Sequence, residues 1–304
     1  MRYAKIATLA LPGAPVHLDE PDMNRKIADY LTNGIARVLP DKPDLIVLPE
    51  HCDKPICKNS IEYYQHQYTE VLERMCNIAR ENKTYIAFAT LLKPDDYYRN
   101  AIVMIDRKGE VMGAYHKMVP VIGEMEKGIR AGKAPVVFDC DFGRVGCAIC
   151  FDLCFHEVAR AYRPLEVDVM VFSSAYHGGL VQKTWAYETL SHFVNSSMGA
   201  PSGIISPVGM QLAVSTNYHP YVTANVNLDC CVTFLGLNQG KLVKAKEKYG
   251  DLLRIDDPGY LGAVLFSSES KDFTAKDVAE EFGIELVRDY FDRVRRVRED
   301  NLED

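Results

Sequence analysis

The sequence lacks the features that mark several large classes of protein. No stretch reaches the roughly 20 apolar residues a helix needs to cross a bilayer. No long basic run is present, and the net charge of -7 gives a nucleic acid nothing to bind. There is no Walker loop and no dinucleotide-type glycine fingerprint, so nothing points to phosphate-cradling chemistry. Tryptophan occurs once, at Trp185. The N-terminus has only a short apolar run, broken at Pro12-Gly13, and it reads as a first strand rather than a secretory signal. Nine cysteines in 304 residues do not make a small disulfide scaffold. The expectation is a cytoplasmic chain with reduced thiols.

What is present is a globular composition, 47% hydrophobic and 25% charged, over a length that fits one large domain or two ordinary ones. After the first strand, Ile27, Leu31, Ile35 and Val38 share one helix face, ending before Pro40. Residues 44–49 form a short, almost wholly apolar strand of the kind covered on both sides. A second helix is predicted over about 62–81, with Tyr68, Val71, Leu72, Met75 and Ile78 inward. A strand at 85–91 follows, then a hairpin whose arms are 100–106 and 111–115. Further strands are expected at 136–138, 144–150, 167–172, 203–206 and 211–214, with 221–228 as the last core strand. A helix is expected over about 183–195. Thr274 with Asp277 marks a helix start, and Leu286, Val287, Tyr290, Phe291, Val294 and Val297 form an apolar stripe beyond it. That stripe suits packing on its own chain or on a sister subunit; a calmodulin-type or membrane helix is the alternative, weakened by the acids mixed among its bases.

Three charged or reactive residues stand just past strands: Glu50, Lys117 and Cys150. In open α/β sheets ligands bind at the carboxyl ends of strands. Each residue has an ordinary reading as well: a carboxylate capping a turn, a solvated lysine, a small buried cysteine. Together they make coherent chemistry. A thiol is the nucleophile, a carboxylate takes its proton and returns it to a leaving amine, and a lysine with the Phe151 N–H holds a tetrahedral oxyanion. This is acyl transfer through a thioester. A metal site on Cys147, Cys150 and Cys154 is the rival. However, residues three apart on a strand point to opposite faces, and Cys230-Cys231 is poorly spaced to complete four ligands. A cysteine–histidine pair using His116 or His156 is a second rival, with no evident partner to fix either tautomer.

The chain resembles the nitrilase superfamily, the carbon–nitrogen hydrolases. The resemblance rests on Leu48-Pro49-Glu50, Tyr115-His116-Lys117 and the stretch from Gly146 through Cys150-Phe151-Asp152, with Glu157 following. Asn100, the Lys108-Gly109-Glu110 turn, Ser174-Ala175 and Pro207-Val208-Gly209 support it, and it covers roughly residues 3 to 230. It implies an α/β fold, a four-layer αββα sandwich that dimerises, without metal or organic cofactor. It implies Glu50 as general base, Lys117 as oxyanion stabiliser and Cys150 as nucleophile. The second glutamate of the family best matches Glu126, which with Lys127 precedes a glycine; Glu124 is the other candidate. Leu153, Cys154 and Phe155 stand where many members that take carboxylate-bearing amides carry arginine. The pattern over 187–200 also departs from the family, with Tyr187-Glu188-Thr189-Leu190 there.

These observations lead to one expectation: a cysteine amidohydrolase that cleaves a linear amide or N-carbamoyl group and releases ammonia. Nitrile hydrolysis and a catalytically silent scaffold are the alternatives. Phe151, Tyr176 and His177 are expected to line the substrate site. The hydrolase domain is expected over 1–268 and a helical tail over 269–304. Expected partners are a small amide or ureido substrate and sister subunits in a dimer or larger homo-oligomer, with no nucleic acid, membrane, metal or cofactor.

Overall fold

The computed structural model describes residues 1–57, 69–199 and 201–303. In chain order its first elements are β1 (Tyr3–Leu9), α1 (Met23–Ile35), β2 (Leu45–Val47), α2 (Thr69–Asn82), β3 (Tyr85–Leu92), β4 (Arg99–Ile105), β5 (Val111–His116) and the single turn α3 (Ile122–Met125). There follow β6 (Val137–Cys140), β7 (Gly143–Ile149), α4 (His156–Tyr162), β8 (Val169–Ser174), α5 (Leu180–Thr189), β9 (His192–Ser197), β10 (Gly203–Ile205), β11 (Gln211–Val214) and β12 (Tyr221–Asn227).

Two six-stranded sheets result, ordered β12-β1-β2-β3-β4-β5 and β11-β10-β9-β8-β7-β6. β1, β2 and β3 run parallel, as do β7, β8 and β9. Of these, β2 and β3 are buried along almost their whole length, which is why they read as near-continuous apolar runs. Ile27, Leu31 and Ile35 of α1 and Val71, Met75 and Ile78 of α2 cover the outer face of the first sheet. Val158 and Tyr162 of α4 and Trp185 of α5 cover the second. The inner faces meet through small hydroxyl side chains. Ser173 Oγ donates to the Leu48 carbonyl at 2.7 Å and Ser196 Oγ to the Leu9 carbonyl at 2.7 Å, while Thr8 Oγ1 donates to the Asn195 carbonyl at 2.8 Å. The architecture is the four-layer αββα sandwich. Close packing explains Gly146: a Cβ there would lie 2.6 Å from Met170 Sδ and 2.8 Å from the Tyr162 ring.

Two expectations shift here. The helix expected over 183–195 stops at Thr189, where Leu190 takes a left-handed φ of 53°. His192–Ser197 is instead a fully buried strand parallel to β8. Its pairing with β8 outweighs the helical reading of the sequence. The expected second helix is observed from Thr69; the part over 62–68 lies outside the described residues.

Residues 1–3, 207–210 and 227–304 make a compact unit separate from 4–206 and 211–226. It contains β13 (Cys230–Phe234), α6 (Leu235–Tyr249), β14 (Leu253–Asp256), β15 (Ala263–Ser268), α7 (Ala275–Phe282) and α8 (Val287–Glu299). Its antiparallel sheet, ordered β13-β15-β14, buries Val264 and Phe266 with Leu242 of α6 and Val278 of α7. The expected boundary at residue 268 falls inside this unit, between β15 and α7, because the last two helices share a core with the three strands. Thr274 and Asp277 form the expected reciprocal cap at the start of α7, with bonds of 3.1 Å and 2.7 Å. Tyr290 and Phe291 meet Phe234, whereas Val294 and Val297 are 41% and 53% exposed.

Candidate active site

Glu50 follows β2 and Lys117 follows β5. Asn100 begins β4, which runs antiparallel to β3 and so starts at the same rim. The second sheet brings Cys150 to the end of β7 and Ala175 just past β8. Glu50 and Lys117 are almost completely buried, 1% and 2% exposed. Buried charges must be paired, and these are. Lys117 Nζ donates to Glu50 Oε1 at 3.0 Å and to Glu124 Oε2 at 2.8 Å. Asn100 Nδ2 donates to Glu50 Oε1 at 2.8 Å and to Glu124 Oε1 at 2.7 Å, so both of its amide hydrogens have carboxylate acceptors. The Ala175 N–H donates to Glu50 Oε2 at 3.0 Å, and the Val121 N–H to Glu124 Oε2 at 2.8 Å.

Cys150 adjoins this cluster. Its thiol hydrogen-bonds Glu50, and the Ala175 N–H faces its sulfur. Its backbone is left-handed, φ 48°, a conformation that costs a non-glycine residue about 1–3 kcal/mol and that clusters at functional sites. Gly132 secures the lysine side. Its N–H donates to the Lys117 carbonyl at 2.8 Å, and a Cβ on it would lie 2.2 Å from the His116 carbonyl oxygen.

The electrostatics fix the resting protons. Burial alone would raise the Glu50 carboxyl, but the neighbouring His51 and Lys117 charges, with hydrogen bonds from Lys117 and Cys150, hold it down at about 2. Burial lowers His51 itself, so at neutral pH the cation beside Glu50 is Lys117. Burial also pulls on Lys117, and the Glu50 and Glu124 carboxylates outweigh it and raise the ammonium. Burial and then the Glu50 charge push the Cys150 thiol up to about 12, against the pull of Lys117. The resting site is therefore a neutral thiol beside a carboxylate and an ammonium.

Glu124, not Glu126, joins the cluster. Glu126 is exposed and caps the end of α3, while Glu124 is 4% exposed on the inner side of that turn. At about 100° per residue, positions two apart on a helical turn face nearly opposite ways, so only one can reach Lys117. Phe151 is half-buried and packs edge-on against Phe155. Tyr176 is 37% exposed, its hydroxyl 3.4 Å from Cys154 Sγ. Tyr176 directly follows Ala175, whose N–H meets Glu50; burial and then the hydrogen bond with Cys154 raise its phenol, and the Cys150 and Glu50 charges add to that. His177 is exposed, and its Nδ1 accepts the Gly179 N–H at 3.1 Å, closing its own turn. Of the rival histidines, His156 is exposed and faces Glu188 at 3.0 Å; His116 lies on β5, and burial lowers it. Cys147 is buried in β7 and Cys154 is exposed, so the three cysteines occupy different surroundings. Glu50, His51 and Glu124 bring ligand atoms within 4.8 Å of one another, but the two carboxylates already share the Lys117 ammonium. Sequence reasoning named Asn100 and Ser174-Ala175 only as supporting parts of the family resemblance and gave neither Asn100 nor the Ala175 N–H a role at the site.

Comparison with known proteins gives the family. Bovine pantetheinase is 27% identical over 240 residues, 66% of this chain but 45% of that protein, so the match spans less than half of pantetheinase. The chloroplastic omega-amidase of Arabidopsis thaliana is 21% identical over 245 residues, 70% of this chain and 65% of that one. In fold the chain is similar to an amidase from Nesterenkonia sp., with a TM-score of 0.64 at 17% identity over 73% of this chain and 90% of that one. The carbon-nitrogen hydrolase family model matches residues 5–223, which contain every member of the Glu50, Lys117 and Cys150 cluster, and the chain belongs to that family.

Proposed function

We propose that this chain is a cysteine-dependent amidase that hydrolyses a linear amide through a thioester on Cys150 and releases ammonia. The observation that carries the reading is the meeting of a thiol, a buried carboxylate and a buried ammonium at one rim. The Cys150 sulfur attacks the amide carbon while its proton passes to Glu50, so no free thiolate needs to exist at rest. The oxyanion forms beside the Lys117 ammonium, which Glu50 and Glu124 hold before the charge develops, and beside the Phe151 N–H. Glu50 then returns the proton to the leaving nitrogen, and ammonia departs. Water, deprotonated by Glu50, attacks the thioester, and collapse gives the carboxylic acid and the free thiol. Glu124 and Asn100 hold Lys117 and Glu50 in register and contact no reacting atom. The amidase-type names of the relatives favour an amide over an N-carbamoyl group or a nitrile.

The test is ammonia release from simple amides, ω-amides, ureido compounds and nitriles run side by side, with carbon dioxide followed for the ureido set. At least one amide should be turned over, and Cys150→Ala should abolish turnover while the protein stays folded. Full activity in that variant would sink the mechanism. Preferential iodoacetamide labelling of another cysteine counts against Cys150.

A further inference from the structure

The Asp152 carboxylate is fully buried, yet it lies outside the Glu50, Lys117 and Glu124 cluster. It sits two residues after Cys150 in the turn Cys150–Cys154. Its Oδ2 accepts the Ile149 N–H at 2.8 Å and the Tyr115 O–H at 2.7 Å, and its Oδ1 accepts the Val119 N–H at 2.7 Å. These partners bracket both reactive groups. Ile149 immediately precedes Cys150, while Tyr115 and Val119 stand two residues to either side of Lys117. Lys117 leaves the first sheet and Cys150 the second, and β5 and β7 belong to different ladders. Backbone pairing therefore does not fix the distance between nucleophile and ammonium.

We propose that Asp152 is a positioning residue, a buried clasp that ties the Lys117 strand end to the Cys150 turn across the two sheets. The inference rests on the roles given above to Cys150 and Lys117. The clasp needs the ionised carboxylate. Three donors already point at its two oxygens: a proton on Oδ2 displaces the Ile149 N–H or reverses the Tyr115 bond, and a proton on Oδ1 removes the charge that all three donors bind. Burial pushes the Asp152 carboxyl up to about 6, against the pull of the Ile149, Tyr115 and Val119 donors and of Lys117. Tyr162, the other titratable group facing it, is raised and stays neutral in that range. Glu50, at about 2, keeps its charge far below it. Activity should therefore fall on the acid side near pH 6. His51 titrates below its ordinary 6.5 beside Glu50, and variants at the clasp separate the two groups.

The experiment compares the full-length parent, Asp152→Asn and Tyr115→Phe, each checked for folding by thermal melting. The readouts are the iodoacetamide alkylation rate at Cys150, and kcat and KM for ammonia release from propionamide, across roughly pH 5 to 8. Asp152→Asn should lower kcat roughly 10- to 100-fold with KM within about twofold, and its acid limb should vanish. Tyr115→Phe removes a donor that favours the ionised carboxylate, so the acid limb should move to higher pH. Parental kcat and limb in Asp152→Asn overturn the proposal. An unmoved limb in Tyr115→Phe also overturns it, even if Asp152→Asn does not fold. Ammonia release by Cys150→Ala would instead refute the proposed function. An inactive Cys150→Ala alongside parental Asp152 and Tyr115 variants refutes the clasp alone.

Discussion

Replacing Lys117 with methionine tests whether the site is a buried ion cluster. Methionine keeps the length and most of the volume and removes only the charge. Glu50 and Glu124, 1% and 5% exposed at their side chains, would then face each other without a cation. Removing one partner of a buried ion pair costs about 3–5 kcal/mol. For a chain of this size each kcal/mol moves Tm by roughly 2 °C, so Lys117→Met should melt about 6–10 °C below the parent at pH 7. The pH dependence carries a sign. In the parent, Glu50 lies near 2, below its unfolded value, so its ion-pair contribution is present above the ordinary carboxylate range of about 4.3 and is lost as pH falls toward 2. In the variant the Glu50 carboxyl loses its ammonium partner, rises and takes up a proton as the solution is acidified, which relieves the penalty. The gap in Tm between parent and variant should therefore narrow from pH 7 to pH 5. Adding Glu124→Gln to Lys117→Met should recover part of the loss by removing one buried charge. A Tm at pH 7 indistinguishable from the parent, or a gap that widens in acid, would refute the reasoning. Scanning calorimetry at the two pH values decides it.

Two further outcomes follow from particular residues. Glu124→Gln should lower kcat for amide hydrolysis by roughly tenfold or more, because Lys117 loses a charged acceptor, whereas Glu126→Gln should stay near the parent; equal effects would remove Glu124 from the site. Burial holds His192 at about 4, below its ordinary 6.5, so its contribution is present above 6.5 and drains away as pH falls toward 4, a loss of about 3 kcal/mol. His192→Gln should flatten that slope in denaturant titrations, and an identical slope in both proteins would count against it.

Much of the αββα sandwich was legible because its signals are local. Ile27, Leu31 and Ile35 repeat at helical spacing, 44–49 is an unbroken apolar run, and the hairpin 100–115 declares its turn at Lys108-Gly109-Glu110. The segment at 192–197 was misread because His192-Phe193-Val194-Asn195-Ser196-Ser197 carries neither an apolar run nor a strict alternation to mark a strand, and pairing with β8 settles which forms. The three-stranded sheet after residue 229 was passed over for a related reason. Its strands are short, and their pairing partners lie up to about 37 residues apart, too far for a local pattern to reveal.

The sequence by itself determined that Glu50, Lys117 and Cys150 each stand just beyond a strand, because a strand's end is written in its own residues. Only the tertiary structure decided that they meet, that Glu124 rather than Glu126 completes the charge balance, and that Asp152 ties the lysine strand to the cysteine turn. Those outcomes depend on how two sheets and one helical turn dock. Docking is set by packing between segments distant in sequence, which no periodicity along the chain records.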